Sequence, residues 1–297
     1  MKQTQTKLVQ IIPFAFVILW ATGFLGARYA MPYATPYAFL SIRFAITIAI
    51  LLVLLFIFKS KLPKGSAIWH AMIIGVLFHG IYLGTIFWAI KNGFPAGFAG
   101  IIVGLQPIIT AFLAAKILGD KITKMQILGL IVGIIGISLV LYPKLIGTTD
   151  TNIFWGAIAS LFGVIAFSLG TIIQKKSAKN QNLIGNAFYQ YLGALIFSLP
   201  LALLFEQFIF EWNGELIFAF FWLILVLSIG AILLLMLMIK AHEATNVASY
   251  FYLVPATTVI MAYFLFGETL NMMQIIGLLI TSTGVALATV FSNKSKT

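Results

Sequence analysis

The 297-residue sequence contains no cysteine and very little charge. Without cysteine the chain can form no disulfide, perform no thiol catalysis and bind no metal through thiolates. Charged residues make up 8% of the chain and hydrophobic residues 62%, whereas a soluble domain carries about 25% charged residues. A soluble core cannot bury so much apolar sequence, which indicates that most of the protein lies in a lipid bilayer.

The chemical motifs of common enzyme classes are also missing. The chain contains no Walker A sequence, no His-Glu-x-x-His, no Gly-x-Ser-x-Gly and no paired catalytic carboxylates. We therefore predict no enzyme activity, no cofactor and no metal site. The net charge of +11 does not indicate nucleic-acid binding, because the lysines sit in short clusters between apolar runs.

Apolar runs long enough to cross a bilayer divide the whole chain, since a spanning helix needs about 20 residues. We predict ten transmembrane helices, at about residues 9–29, 36–58, 68–90, 94–116, 124–143, 152–174, 184–205, 217–240, 246–266 and 271–292. The connections are too short for a soluble domain. The first run could be read as a signal peptide, but its length suits a span better than the apolar region of a signal peptide.

Positive charge is distributed unevenly between the two sides of these predicted spans. If the N-terminus is cytoplasmic, 14 of the 18 lysines and arginines lie inside, three lie outside (Arg28, Lys91 and Lys144), and Arg43 lies within a helix. The positive-inside rule then predicts that both termini face the cytoplasm of a bacterial inner (plasma) membrane protein. None of the seven acidic residues falls in the middle of a span, so proton exchange through a carboxylate is not expected.

The sequence repeats itself at an offset of 148 residues. Pro107 pairs with Pro255, and the same offset relates further glycines, glutamines and acidic residues: Gly119 and Gly267, Asp120 and Glu268, Gln126 and Gln274, Gly129 and Gly277, Gly136 and Gly284. Five helices make up each unit, so we predict one repeat over residues 1–147 and a second, inverted repeat over 148–297. Inverted repeats are typical of secondary transporters, whose halves move around a site near the middle of the membrane.

The residues also resemble those of a known family. The similarity is carried by the stretch "WATGFLGARYA" in the first helix and the stretch "FLSIRF" in the second. Both halves also share a late-helix pattern: a proline, then a glycine followed by an acidic residue, then a glutamine and a glycine. In these residues the chain is similar to EamA-type members of the drug/metabolite transporter superfamily. The resemblance implies ten helices around a central cavity and export of amino acids or other small metabolites.

Two prolines and the polar residues before them are the first candidates for a functional site. Pro107 and Pro255 should break or bend the fourth and ninth helices at matching positions, and a broken helix in lipid must line protein or a water-filled cavity. Gln106 precedes the first proline, and Tyr250 and Tyr252 precede the second. We predict that these residues face substrate, with a simple packing kink as the alternative.

Other polar residues lie within spans where they require partners. Arg43 could meet a substrate carboxylate or could be a structural arginine. His79, with Tyr82 and Gly75 expected on the same helix face, could bind substrate or could be a satisfied core histidine. Trp20, Thr22 and Ser168 could form a wall of the substrate site, or could be packing residues.

Two further features are expected to be structural. Asp120 and Glu268 follow glycines at helix ends, which is more typical of turn and interface residues than of transport acids. Gly129, Gly133 and Gly136 echo Gly277, Thr281 and Gly284. Small residues at this spacing allow close helix contact, inside one chain in preference to a dimer interface.

These features together predict an all-α membrane protein that binds a small-molecule substrate in the bilayer, as a monomer or a homodimer. The leading prediction is a secondary transporter that exports small metabolites, such as amino acids or aromatic compounds, by alternating access. The alternative is a multidrug or lipid-like substrate transporter or flippase.

Overall fold

A computed structural model describes residues 2–119, 122–147, 151–177, 182–231 and 253–288. These residues form helices, which are numbered here in chain order: α1 (Lys2–Ala30), α2 (Pro36–Ile57), α3 (Ser66–Lys91), α4 (Ala96–Leu118), α5 (Lys124–Gly147), α6 (Asn152–Ser177), α7 (Leu183–Phe205), α8 (Gly214–Ala231), α9 (Val254–Phe266) and α10 (Met272–Ala286). The described residues contain no strand.

The helices have the length and the surface of membrane-spanning elements. Seven of the described helices, α2 to α8, are long and apolar enough to cross a bilayer, while the apolar parts described for α1, α9 and α10 are shorter. Large apolar side chains such as Phe56, Phe205 and Phe264 lie exposed on the outside of the bundle, as they would toward lipid. The predicted all-helical membrane class is therefore confirmed, whereas the count of ten spans and the inverted arrangement stay predictions.

Matching side chains begin α5 and α10. At α5 the backbone N–H of Thr123 donates to Oε1 of Gln126, and the N–H of Gln126 donates to the Thr123 hydroxyl. At α10 the same exchange joins Asn271 and Gln274. Each pair satisfies backbone donors that a helix start leaves free. Glutamines 148 positions apart thus perform the same local task.

Helix α4 is interrupted in the middle of its span. Its first part ends at Val103, a turn covers Gly104 and Leu105, and its second part begins at Gln106 with Pro107 as the next residue. Helix α9 likewise has Pro255 as its second residue. Proline suits these positions because it lacks the N–H that an interior helical residue donates. The predicted break near Pro107 is therefore an interruption just before the proline.

Helix α3 contains a wide π-helical turn, Val76–Leu83, and this turn corrects one prediction. Gly75 and His79 both face α7, but Tyr82 packs against Phe167 of α6. The three residues do not share one face, because a π turn holds more residues than an α turn and rotates Tyr82 around the axis. Helix α8 contains a second π-helical stretch, Trp222–Ala231.

Glycines bring α5 and α10 into close backbone contact. A side chain on Gly129 would collide with the carbonyl of Gly284, and one on Gly136 would collide with Thr281 and with the carbonyl of Gly277. The predicted role of these small residues in packing within the chain is confirmed. These contacts also cross over. Gly129 meets Gly284, which is the repeat counterpart of Gly136, and Gly136 meets Gly277, which is the repeat counterpart of Gly129.

Candidate functional site

A cavity lies at the interruption of α4, in the interior of the bundle. Its described lining comes from α1, α3, α4, α6 and α9: Trp20, Tyr82, Val103, Gly104, Gln106, Pro107, Phe167 and Val254. None of these described lining residues is charged. The cavity volume of about 10 Å³ suffices for one water molecule, so the bundle is nearly closed around it.

The interruption of α4 places Gln106 at this cavity. Its amide nitrogen donates to the Thr110 hydroxyl at 2.9 Å and lies 3.5 Å from the Thr171 hydroxyl of α6. Gly104 contacts the ring of Pro255 so closely that a side chain would not fit. Helices α4 and α9 therefore meet beside the cavity at the contact between Gly104 and Pro255, which a side chain at position 104 would prevent.

Phe167 organises the aromatic side of the cavity. Its ring stacks on Phe78 with 4.5 Å between the centroids, and lies 4.9 Å from the ring of Tyr82 and 6.5 Å from that of Trp20. Phe167 does not stand out in the sequence, because it is one phenylalanine among 27. A pattern of apolar residues does not separate a cavity-lining ring from one that faces lipid.

Two of the predicted wall residues bind neighbouring helices instead. The Thr22 hydroxyl accepts a hydrogen bond of 2.8 Å from the indole N–H of Trp222, which ties α1 to α8. Ser168 is fully buried, and its hydroxyl lies 3.4 Å from the backbone carbonyl of Gln106, at the interruption of α4. Both residues hold helices around the cavity, and neither belongs to its lining.

Arg43 and the partly buried His79 lie together in a second cluster inside the bundle, apart from the cavity lining. Arg43 is 4% exposed, and one of its terminal nitrogens donates to the Ser228 hydroxyl at 3.1 Å. Its Nε has no hydrogen-bond partner among the described residues. The His79 ring stacks on Tyr191 with 4.4 Å between centroids and planes 9° apart, and Gln190 is its hydrogen-bond partner.

This second cluster joins α2, α3, α7 and α8, and only Arg43 and His79 among its members are predicted site residues. Tyr191 and Ser228 were missed because neither stands out in an apolar run. The predicted site residues thus divide into two groups: Trp20, Tyr82, Gln106 and Pro107 line the cavity, whereas Thr22, Arg43, His79, Ser168 and Pro255 do not. Tyr250 and Tyr252 lie outside the described residues. No group of three histidine or acidic side chains among the described residues could hold a metal ion.

One residue outside the spans has a perturbed acidity. Tyr33, in the connection between α1 and α2, shares a hydrogen bond with the carboxylate of Glu215 at the start of α8. This bond, together with burial and the negative charge, raises the pKa of the Tyr33 phenol above its usual value. The phenol therefore stays protonated at physiological pH and helps to tie the α1–α2 connection to α8.

Comparison with known proteins agrees with this architecture. A solved crystal structure covers 98% of this chain and 99% of its own, with a TM-score of 0.67 and 18% sequence identity, which supports the fold. The inner membrane transporter YedA of Escherichia coli strain K12 is 24% identical over 276 residues, covering 93% of this chain and 89% of YedA.

Two further relatives carry names that mention a substrate. A probable amino-acid metabolite efflux pump of Salmonella typhimurium is 24% identical over 278 residues, covering 91% of this chain and 90% of the relative. An S-adenosylmethionine uptake transporter of Rickettsia prowazekii is 29% identical over 177 residues, covering 59% and 56%.

The family model that matches this chain is named for transporters, as are these relatives, and not for enzymes. It matches twice, over residues 8–142 and 154–290. These matches cover most of the sequence and both sets of helices that meet at the cavity. The chain is a multi-pass membrane protein and belongs to the EamA-like transporter family.

Proposed function

We propose that this protein is a secondary transporter that exports small metabolites, such as amino acids or aromatic compounds, by alternating access. One observation carries the proposal: a cavity lined by three aromatic rings, with no charged residue in its described lining, lies where the interrupted helix α4 meets the start of α9. Interrupted helices at a central cavity are how many transporters bind substrate. The efflux pump among the relatives supports export, although another relative is named for uptake.

The proposed architecture is a pair of inverted repeats, residues 1–147 and 148–297, within an inner membrane. The crossed contacts of α5 and α10 support it: Gly129 meets Gly284, and Gly136 meets Gly277. Two equivalent elements related by a two-fold axis make reciprocal contacts of this kind. Such an axis in the membrane plane allows the halves to open first toward one side and then toward the other.

In this proposal Trp20, Tyr82 and Gln106 contact the substrate, and Pro107 and Pro255 mark the hinges. The rings supply an apolar wall, and the amide oxygen of Gln106 supplies an acceptor, because its N–H groups are directed at Thr110 and Thr171. Arg43 and His79 hold α2, α3, α7 and α8 together in the second cluster. A multidrug or lipid-like substrate is the competing proposal, because the uncharged described lining would also suit an apolar drug or a lipid tail.

Counterflow into liposomes containing the purified protein tests the proposal. The vesicles are loaded with unlabelled amino acids, purines, organic cations or fluorescent lipids in turn, and entry of the labelled compound is followed. Trp20→Ala removes a cavity ring, and Trp69→Ala removes an indole that is 67% exposed on α3. We expect an amino acid or aromatic compound to exchange, and Trp20→Ala to slow exchange at least severalfold more than Trp69→Ala does.

Other results would contradict the proposal. Exchange of organic cations or lipids alone would support the multidrug or lipid-like alternative. Equal effects of the two tryptophan substitutions would mean that the cavity does not contact the substrate.

A further inference from the structure

A second, larger cleft lies along the same helix pair as the cavity. It has a volume of about 200 Å³ and lies between the start of α4 and the end of α9, where Gly97, Phe98, Val259 and Glu268 line it. Lys144 of α5 also lines it. The distribution of lysines and arginines assigns this end of the bundle to the outside of the membrane.

The two spaces are separated by a short, tight seam between α4 and α9. Gly100 packs on the side chain of Thr258, and one turn further Gly104 packs on Pro255. The cavity lies at the inner end of this seam, at Gly104 and Val254. The cleft lies at its outer end, at Gly97 and Val259. Separation of α4 from α9 along this line would join the cavity to the cleft.

A single carboxylate holds the outer end of the seam together. Oε1 of Glu268 accepts a hydrogen bond of 3.1 Å from the N–H of Ala96, and Oε2 accepts one of 3.0 Å from the N–H of Gly97. Gly267, at φ +65°, turns the chain back after α9 and directs Glu268 to this position. The negative charge lies at the positive end of the α4 dipole, where it is most stabilising.

We propose that Glu268 is a positioning residue that latches α9 to α4, and that the cleft is the vestibule through which substrate leaves the cavity. The proposal rests on the proposed transport function. In it, outward opening breaks the two hydrogen bonds of Glu268 and parts Gly100 from Thr258. Substrate then moves along the α4–α9 seam from the aromatic cavity to the outside.

The chain supplies a matched control. Glu206, at the end of α7, caps the start of α2 in the same manner, through a 2.9 Å hydrogen bond from the N–H of Ala38 to its Oε2. It joins α7 to α2 and does not touch the α4–α9 seam. A glutamine at position 206 removes a comparable charged cap without loosening the proposed exit.

Labelling of introduced cysteines measures the opening directly, because the natural chain contains none. Val103→Cys places a thiol in the cavity lining, and Ser160→Cys places one at a fully buried position in α6. Each is combined with Glu268→Gln, Glu268→Ala or Glu206→Gln. A membrane-impermeant maleimide is then applied from the outside to vesicles of known orientation, and separately from the inside.

We expect Glu268→Gln and Glu268→Ala to raise the rate of outside labelling at Val103→Cys by about five- to thirtyfold, as loss of charge-assisted hydrogen bonds in the closed state would. Glu206→Gln should leave this rate within about twofold, and Ser160→Cys should stay unlabelled in every background. No rise with Glu268 variants, an equal rise with Glu206→Gln, a rise only from the inside, or labelling at Ser160→Cys would each overturn the latch.

The labelling experiment does not require a known substrate. If counterflow detects no flux while the Glu268 variants open the cavity selectively, the proposed substrates fail and the latch stands. If flux is measured and labelling does not respond, the latch fails and the transport function stands.

Discussion

Hydrogen bonding of individual side chains decides which of the predicted polar residues can face a substrate. Thr22 and Ser168 were candidates for the cavity wall, but each bonds to a group on a neighbouring helix. Gln106 bonds to hydroxyls on one side and still lines the cavity. In an apolar protein a buried polar group requires a partner, and that partner can be a neighbouring helix as well as a substrate.

The Thr22–Trp222 hydrogen bond predicts that its removal will destabilise the protein even when the volume of the side chain is kept. Thr22→Val keeps the side-chain volume and leaves the indole N–H of Trp222 without its acceptor, which we expect to cost about 1–2 kcal/mol of unfolding free energy. Thermal unfolding in detergent measures it. Thr283→Val, at an exposed threonine of α10 that bonds only within its own helix, is the control and should change little. Equal effects would contradict the prediction.

Arg43 can be tested as a structural arginine in the same way. Arg43→Ala removes a side chain that is 4% exposed and leaves a void, so we expect a loss of about 2 kcal/mol or more. Arg43→Met fills most of that space and removes a buried charge that is costly to desolvate, so its loss should be below about 1 kcal/mol. A stable Arg43→Met protein that has lost counterflow would show instead that the arginine meets the substrate.

At the scale of the helices, departures from regular α geometry shape the interior. The interruption of α4 before Pro107 makes the cavity, and the π turn of α3 separates Tyr82 from His79. The π stretch of α8 carries Ser228, the partner of Arg43. Close backbone contacts at glycines, as between α5 and α10, hold the neighbouring helices in place around these irregular segments.

The close α5–α10 contact predicts that one added methyl group, at Gly136, will lower the unfolding free energy. Gly136→Ala would push against Thr281 and the carbonyl of Gly277, and the backbones must separate to admit it. We expect a loss of about 1–3 kcal/mol of unfolding free energy, measured by thermal unfolding. Gly214→Ala is the control, because a methyl group there meets nothing within 4 Å. A neutral Gly136→Ala would mean that this crossing is looser than described.

At the scale of the whole molecule, charge predicts orientation. Lysines cluster at one end of the predicted spans, and the carboxylates of Glu206 and Glu268 cap helices at the other. This arrangement predicts that both termini face the cytoplasm. The negative charges at the opposite end also hold the second half of the chain to the first, through the starts of α2 and α4.

Reporter fusions test this orientation. A fluorescent protein that folds only in the cytoplasm, fused after Thr297, should fluoresce. A phosphatase that is active only outside the cytoplasm should be active when fused after Glu206 and inactive when fused after Lys176. The reverse pattern would invert the topology and would place the Glu268 cleft on the cytoplasmic side.

The sequence by itself determined that this is a helical membrane protein with a repeated pattern of prolines, glycines and acids. Hydropathy and spacing are properties of neighbouring residues, so they can be read without coordinates. Close helix packing at Gly129 and Gly136 could also be predicted from the sequence, because the spacing of small residues indicates a contact even when the partner helix is not known.

Only the tertiary structure decided which residues share the cavity. Membership depends on how each helix is rotated and where it is interrupted, and the π turn of α3 changed the face of Tyr82. Phe167 and Val103 line the cavity although they resemble residues that face lipid, and Arg43 lies outside the lining although its charge made it a prominent candidate. The burial of a side chain and its hydrogen-bond partners depend on contacts between segments that are distant in sequence. The order of residues along one helix does not reveal these contacts.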